Sequence, residues 1–241
     1  VADLGARWFR QRFGVPALEP LLPGLGRFVV LTTPERYAKV VDAEEGLSPA
    51  VRTFAKSVSA VPLPRGKRSE TVVLMERPEA TFAVDGCLHY AVHVLFRERF
   101  GVEAEEAWLY EGLAAYATLR VLATQASWCI ALEETRAGVV ERAPHAETWG
   151  DQAVALAAAR ADEPLRALVE ASLNQLDGAM LVKAWSLLRF MLEDHPEEGV
   201  AFLEARREGG GSLQALERVT GLRPEDVDEA WRRAMLAHEG E

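Results

Sequence analysis

The sequence contains only two cysteines, Cys87 and Cys129, among its 241 residues. Two thiols cannot form the disulfide framework of a small secreted domain, and these two lack the CxxC spacing of zinc ribbons and thioredoxin-like proteins. Small disulfide-bonded domains, zinc ribbons and thioredoxin-like proteins are therefore excluded. Because a free cysteine is among the most frequently buried residue types, we expect both side chains to be small apolar parts of the core.

Basic residues and long apolar runs are also scarce. The chain carries 27 lysines and arginines against 37 acidic residues, which gives a formal net charge of −10. This charge argues against a phosphate backbone or an anionic membrane as the main partner, so we expect no nucleic-acid binding. No stretch approaches the roughly 20 apolar residues that a membrane span requires. The compartment and the oligomeric state stay open.

The composition that remains is ordinary for a soluble globular protein, with 49% hydrophobic and 27% charged residues. We expect one domain over residues 1–241, because this length supports a single large core. Its predicted class is α+β and mostly helical. Residues 1–80 form a small α/β part, and residues 81–241 form a helical part.

Local patterns place the predicted elements along the chain. Apolar, β-branched runs predict strands at Phe28–Thr32 and Thr71–Met75. Thr33 is expected to cap a helix whose first residue is Pro34. Helical spacing of apolar residues then predicts five longer helices, at Phe82–Phe100, Glu105–Leu122, Gln152–Arg160, Pro164–Leu173 and Ala179–Glu193. Two short helices are expected to follow, and we expect Ser212 to cap and Gly221 to end the one after the triple-glycine linker.

Two histidines stand four residues apart on the first of these longer helices. His89 and His93 lie one turn apart on the same helix face, so both imidazoles can point at one metal ion. The spacing alone is weak, because it arises by chance in roughly one such chain in twelve. On this pattern alone, two histidines held by core hydrogen bonds are the better explanation.

Glu111 favours a metal site over two histidines that are held only by core hydrogen bonds. It lies in the next predicted helix, within the apolar stretch Trp108–Tyr116, where an unpaired carboxylate would cost several kcal/mol. A divalent cation would be a suitable partner for it.

A histidine pair four apart, followed on the next helix by W-L-x-E-G-L-A-x-Y, resembles the gluzincin zinc peptidases, and most of all the bacterial peptidase MA-like families. In those proteins the two histidines and this glutamate bind zinc, which implies a metal site formed by His89, His93 and Glu111. The resemblance implies a small N-terminal sheet packed on a gluzincin-like helical core, and many such proteins are exported. Two later segments, Ala184–Leu188 and Ala230–Arg233, are similar to the helices that close such domains.

The sequence also departs from that family. The family's pattern has a glutamate after the first histidine, which takes a proton from the zinc-bound water, and here Tyr90 stands in its place. A phenol with a pKa of about 10 is a poor base at neutral pH. Ala115 stands where relatives often place an acid that supports a ligand histidine, and this predicts weakened zinc binding. Leu181 and Val182 lie where relatives have a tyrosine, and Met75–His89 is short for a substrate-holding strand.

These departures favour a catalytically inactive peptidase-like protein that binds a peptide or protein partner. Two alternatives stay open. One is an active zinc hydrolase that uses another general base, such as Glu105 or Glu106, because a bound metal alone still polarises a carbonyl. The other is a helical interaction protein without metal.

Overall fold

The computed structural model describes residues 2–22, 26–56, 60–65, 68–74, 80–124, 129 and 148–237. Within these ranges the chain is an α+β protein dominated by helices, as predicted. The strands are β1 (Gly26–Leu31), β2 (Ala60–Arg65) and β3 (Arg68–Leu74). The helices are α1 (Ala2–Phe13), α2 (Pro34–Asp42), α3 (Pro49–Lys56), α4 (Ala80–Phe100), α5 (Ala107–Leu122), α6 (Trp149–Ala159), α7 (Leu165–Glu170), α8 (Gly178–Arg189), α9 (Pro196–Arg207), α10 (Ser212–Thr220) and α11 (Pro224–Ala237). None of these helices is both long enough and apolar enough to cross a membrane.

The strands form one small sheet with the order β1-β3-β2. Strand β1 runs parallel to β3, and β2 runs antiparallel to it. The two strands predicted from sequence are confirmed as β1 and β3, although Met75 at the expected end of β3 lies outside the described residues. Strand β2 was not predicted, because it contains Pro62 and Pro64. Proline lacks a backbone N–H and is tolerated on an edge strand, which is the position that β2 occupies.

Helix α2 begins as the sequence predicts. Thr33 has an extended backbone, its hydroxyl oxygen accepts a hydrogen bond from the Arg36 N–H at 3.4 Å, and Pro34 is the first helical residue. This arrangement satisfies one of the free N–H groups at the helix start. Tyr37 and Val41 of α2 then pack on Val72 of β3, so that a small second core forms against the sheet.

The main core is built around α4, α5 and α8, which pack on one another in that order. Gly112 permits the close approach of α5 to α8. A Cβ atom at this position would lie 3.2 Å from the Ala184 carbonyl carbon and 2.7 Å from Leu188 Cδ1. Because Gly112 directly follows Glu111, this contact also fixes the segment that carries the candidate ligand.

The C-terminal region contains three helices, α9 to α11, rather than the two expected. Helix α8 passes into a π-helical turn at Phe190–Asp194 before α9 begins. Gly211, and not Ser212, is the cap of α10, because the Ser212 hydroxyl donates instead to Glu106 Oε1 at 2.7 Å. Gly221 ends α10 as predicted, with a left-handed φ of 68°.

A buried ionic network connects α8 to α11. Lys183 of α8 is fully buried, and its ammonium donates to Asp162 Oδ2 at 2.5 Å, to Asp228 Oδ1 at 2.6 Å and to the Glu163 carbonyl. Asp228 Oδ2 also accepts the N–H of Leu165 at 2.9 Å, at the start of α7. These contacts connect α7, α8 and α11.

Candidate metal centre

Helix α4 places His89 and His93 as the spacing predicts, one turn apart and both buried. Their Nε2 atoms lie 3.0 Å apart, and the two rings are nearly perpendicular, at 89°. At this distance one ring can donate a hydrogen bond to the other, and two lone pairs can equally point at one cation.

Glu111 brings a carboxylate to the same point from α5. Its side chain is 1% exposed; Oε2 lies 3.6 Å from His89 Nε2, and Oε1 lies 3.4 Å from His93 Nε2. Oε1 makes no well-directed hydrogen bond within the described part of the chain. The predicted convergence of these three residues is confirmed, and a buried acceptor that needs a partner points into the cluster.

Cys129 joins this group, and our expectation that both cysteines are small apolar core residues is wrong. Its Sγ lies 3.5 Å from His89 Nε2 and 3.3 Å from His93 Nε2, and its backbone N–H donates to Glu111 Oε2 at 3.3 Å. Cys129 is buried as expected, but its thiol faces polar atoms, whereas Cys87 is only partly buried. Nothing in its spacing from the histidines reveals this role, because it lies beyond the end of α5.

The four candidate ligand atoms fit one metal ion. The histidine nitrogens, a glutamate oxygen and the cysteine sulfur all lie within 4.8 Å of one another. Tetrahedral zinc with bonds of about 2.0 to 2.3 Å has ligand atoms about 3.3 to 3.7 Å apart. The separations given above lie close to that range. Two imidazoles, a carboxylate and a thiolate are also donor types that zinc accepts.

Local electrostatics prepare two of these groups for a cation. Burial and the neighbouring His89 lower the pKa of His93 to about 4, against an opposing effect of Glu111, so the ring is neutral at neutral pH. Burial raises the pKa of Glu111, but His89 and His93 lower it more strongly, and the carboxyl is ionised. Burial and then Glu111 raise the pKa of the Cys129 thiol, so a metal must displace its proton on binding.

Two tyrosines line the cluster. Tyr110 of α5 stacks on the ring of His93. Tyr90 of α4 is buried, meets the His89 ring edge to face at 5.4 Å, and packs with Val73 of β3 against Cys129. Against burial and Glu111, which raise the pKa of the Cys129 thiol, Tyr90 acts to lower it. Tyr90, which stands where the resembled family has a glutamate, therefore packs with the fourth candidate ligand.

One candidate ligand, His89, lacks a hydrogen bond to a supporting side chain among the described residues. His89 Nδ1 is buried and has no hydrogen-bond partner among the described residues. Ala115, where an acid would support a ligand histidine, is itself buried on α5 and offers only a methyl group. Metal-binding histidines usually donate this second ring N–H to a carboxylate or carbonyl.

Neither alternative base, Glu105 or Glu106, belongs to the cluster. Glu106 precedes α5, where it is paired with Arg206 and accepts the hydroxyl of Ser212. Glu105 is exposed on the loop before it. Among the described residues, the group that could hold an ion consists of the two histidines, the glutamate and Cys129.

No family model, no curated protein and no solved structure matches this chain. The likeness to gluzincins therefore rests on the motif residues alone.

Proposed function

We propose that this chain is a gluzincin-type peptidase-like protein that has lost catalysis and keeps its metal site as part of a binding or scaffolding domain. The observation that carries this proposal is the convergence of four buried ligand atoms from α4, α5 and Cys129. A buried carboxylate beside two imidazoles is costly without a cation, and a metal removes that cost.

Zinc is the metal that this donor set favours. Structural zinc sites use four protein ligands, whereas catalytic sites use three and keep a water in the fourth position. Here Cys129 Sγ lies within 3.5 Å of both histidine Nε2 atoms, so it is placed to be the fourth ligand. Such a closed site stabilises a fold and leaves no position for a reactive water.

Loss of catalysis follows from three features of the site. Tyr90 replaces the glutamate that would activate a water, and general-base help of this kind is worth about 10² to 10⁴-fold. Cys129 lies where that water would bind. The side chains of His89 and Glu111 are 0% and 1% exposed, so a substrate has little access to the ligands.

The partner of such a domain is expected to be a peptide or a protein. This expectation follows from the resemblance to peptidases, and the net charge of −10 disfavours nucleic acid. An active hydrolase with a different base has less support, since Glu106 is engaged by Arg206 and Ser212. The metal-free alternative leaves Glu111 Oε1 buried without a hydrogen bond among the described residues.

Elemental analysis tests this proposal. The protein is purified without a histidine tag and without added metal, and its metal content is compared with that of His93→Ala and Glu111→Gln. We expect about one zinc per wild-type chain and strongly reduced zinc in both variants. Zinc that is absent from the wild type even after dialysis against excess zinc would contradict the proposal.

A further inference from the structure

Asp85 lies one turn before His89 on α4 and is fully buried. Its Oδ2 accepts a hydrogen bond from the Thr124 hydroxyl at 2.7 Å. Its Oδ1 is buried and has no partner within the described ranges, and the same is true of His89 Nδ1. Two buried polar atoms that lack partners, one on a carboxylate and one on an imidazole, therefore stand on neighbouring turns of one helix.

Such atoms are costly when they stay apart. An unsatisfied buried polar group destabilises the fold, and a charged one destabilises it more. Helical side chains lean toward the N-terminus of their helix, so we expect the ring of His89 to lean toward the turn that carries Asp85. The last torsion of an aspartate is broad, and both carboxylate oxygens turn together about it. A small rotation can aim Oδ1 at His89 while the Thr124 hydroxyl follows Oδ2.

We infer that Asp85 is a positioning residue for the metal ligand His89. Its carboxylate accepts the hydrogen bond of the His89 Nδ1–H, directly or through one water, when Nε2 binds the metal. This inference rests on the proposed metal site. It fixes the tautomer, because a proton held on Nδ1 leaves the Nε2 lone pair free for the ion. Asp85 thereby supplies, from the preceding turn of α4, the support that Ala115 cannot give.

The contact with Thr124 fits this role. Thr124 follows the end of α5, so its hydroxyl holds Asp85 from the helix that also carries Glu111. Alternatively, the hydrogen bond between Thr124 and Asp85 only connects the end of α5 to α4. Zinc affinity distinguishes the two roles, because a substitution of Asp85 should weaken zinc binding only if Asp85 positions His89.

The test is a competitive chelator titration of zinc with wild type, Asp85→Asn and Thr124→Val. We expect Asp85→Asn to weaken zinc binding about 10 to 100-fold. Thr124→Val, which removes the tie but keeps the carboxylate, should have a clearly smaller effect on zinc affinity. Unfolding of the metal-free proteins, followed in parallel, reports the structural part of each change.

Nitrogen-15 NMR of the histidine rings gives a second readout. Zinc-loaded wild type should show His89 with zinc on Nε2 and a slowly exchanging, downfield proton on Nδ1, and that proton should shift in Asp85→Asn. Unchanged zinc affinity in Asp85→Asn, or a His89 Nδ1 without such a proton, would overturn the inference and leave the metal site intact. A wild type that binds no zinc in the same titration would overturn the metal site and this inference together.

Discussion

The imidazole of His93 lies flat on the phenol ring of Tyr110, with ring centroids 3.5 Å apart and planes inclined by 4°. Tyr110 directly precedes Glu111 on α5, so this stack joins the two ligand-bearing helices beside the cluster. A ligand ring that is held by packing loses less freedom when it binds an ion, which favours binding.

Removing this stack should weaken metal binding. Aromatic pairs contribute about 0.5 to 1.5 kcal/mol beyond their buried area, so we expect Tyr110→Leu to lower zinc affinity about two- to tenfold. Tyr110→Phe keeps the ring and serves as the matched control. The measurement is a chelator titration of the three proteins, and equal loss of affinity in the leucine and phenylalanine variants would show that stacking is not the cause.

Cys129 should leave a spectroscopic signature if it binds the metal. Cobalt-loaded wild type should show the intense absorption of a thiolate bound to the ion, and Cys129→Ser should lose it. Cys87→Ser is the control, because Cys87 is the other cysteine and is not part of the cluster. We also expect zinc affinity to fall by more than about tenfold in Cys129→Ser. Losing a metal ligand lowers affinity more than losing a residue that only hydrogen-bonds to a ligand. Thiolate absorption that persists in Cys129→Ser would contradict this assignment.

His89, His93 and Glu111 could be predicted as candidate metal ligands because the evidence for them lies in short stretches of sequence. A four-residue spacing on a helix brings His89 and His93 to one face, and the apolar surroundings of Glu111 require a buried partner. Strands β1 and β3 were likewise predictable, because their β-branched runs are continuous. These features depend on neighbours in sequence.

Strand β2 and Cys129 could not be predicted because they depend on neighbours in space. Pro62 and Pro64 argue against a strand until the edge position of β2 is known. Cys129 is separated from the histidine pair by the whole of α5, and no spacing rule links a single cysteine to a distant histidine pair. The hydroxyl of Ser212 was assigned to a cap because its real partner, Glu106, is also remote in sequence.

The buried network around Lys183 should be essential for stability. Lys183→Met leaves Asp228 buried without its ammonium partner and leaves Asp162 paired with Arg232 alone, and breaking a buried pair in this way costs about 3 to 5 kcal/mol. As a control, Arg166→Ala breaks an ion pair with Glu225 in which both side chains are 58% exposed, and this change should cost at most about 1 kcal/mol. Urea unfolding monitored by circular dichroism measures both changes, and similar costs would contradict the prediction.

Asp162 should make part of this stability depend on pH. Burial raises the pKa of Asp162, but hydrogen bonds and charges from Arg232 and Lys183 lower it more, so its folded pKa lies below the unfolded value of about 3.9. Its stabilising contribution is thus present above pH about 4 and is lost as the pH falls through the folded pKa. The difference in unfolding free energy between wild type and Asp162→Asn should be constant from about pH 5 to 7 and narrow below about pH 4. A difference that already narrows above pH 5 would contradict this.

The last prediction concerns peptide hydrolysis. Wild type saturated with zinc should not cleave a mixed peptide library, because Tyr90 is no general base and Cys129 Sγ, within 3.5 Å of both histidine Nε2 atoms, would take the fourth ligand position. Tyr90→Glu alone should give weak activity at most, since the thiol still closes the site.

Tyr90→Glu combined with Cys129→Ala restores the base and opens a coordination position, so this double variant should be the most active of the series. Its activity should still be low, because the cluster is buried and a substrate has little access to it. His93→Ala in the same background is the control for metal dependence. Robust cleavage by the wild type that disappears in His93→Ala would reverse the conclusion, because an enzyme with Tyr90 and Cys129 in place would then be an active hydrolase with another base.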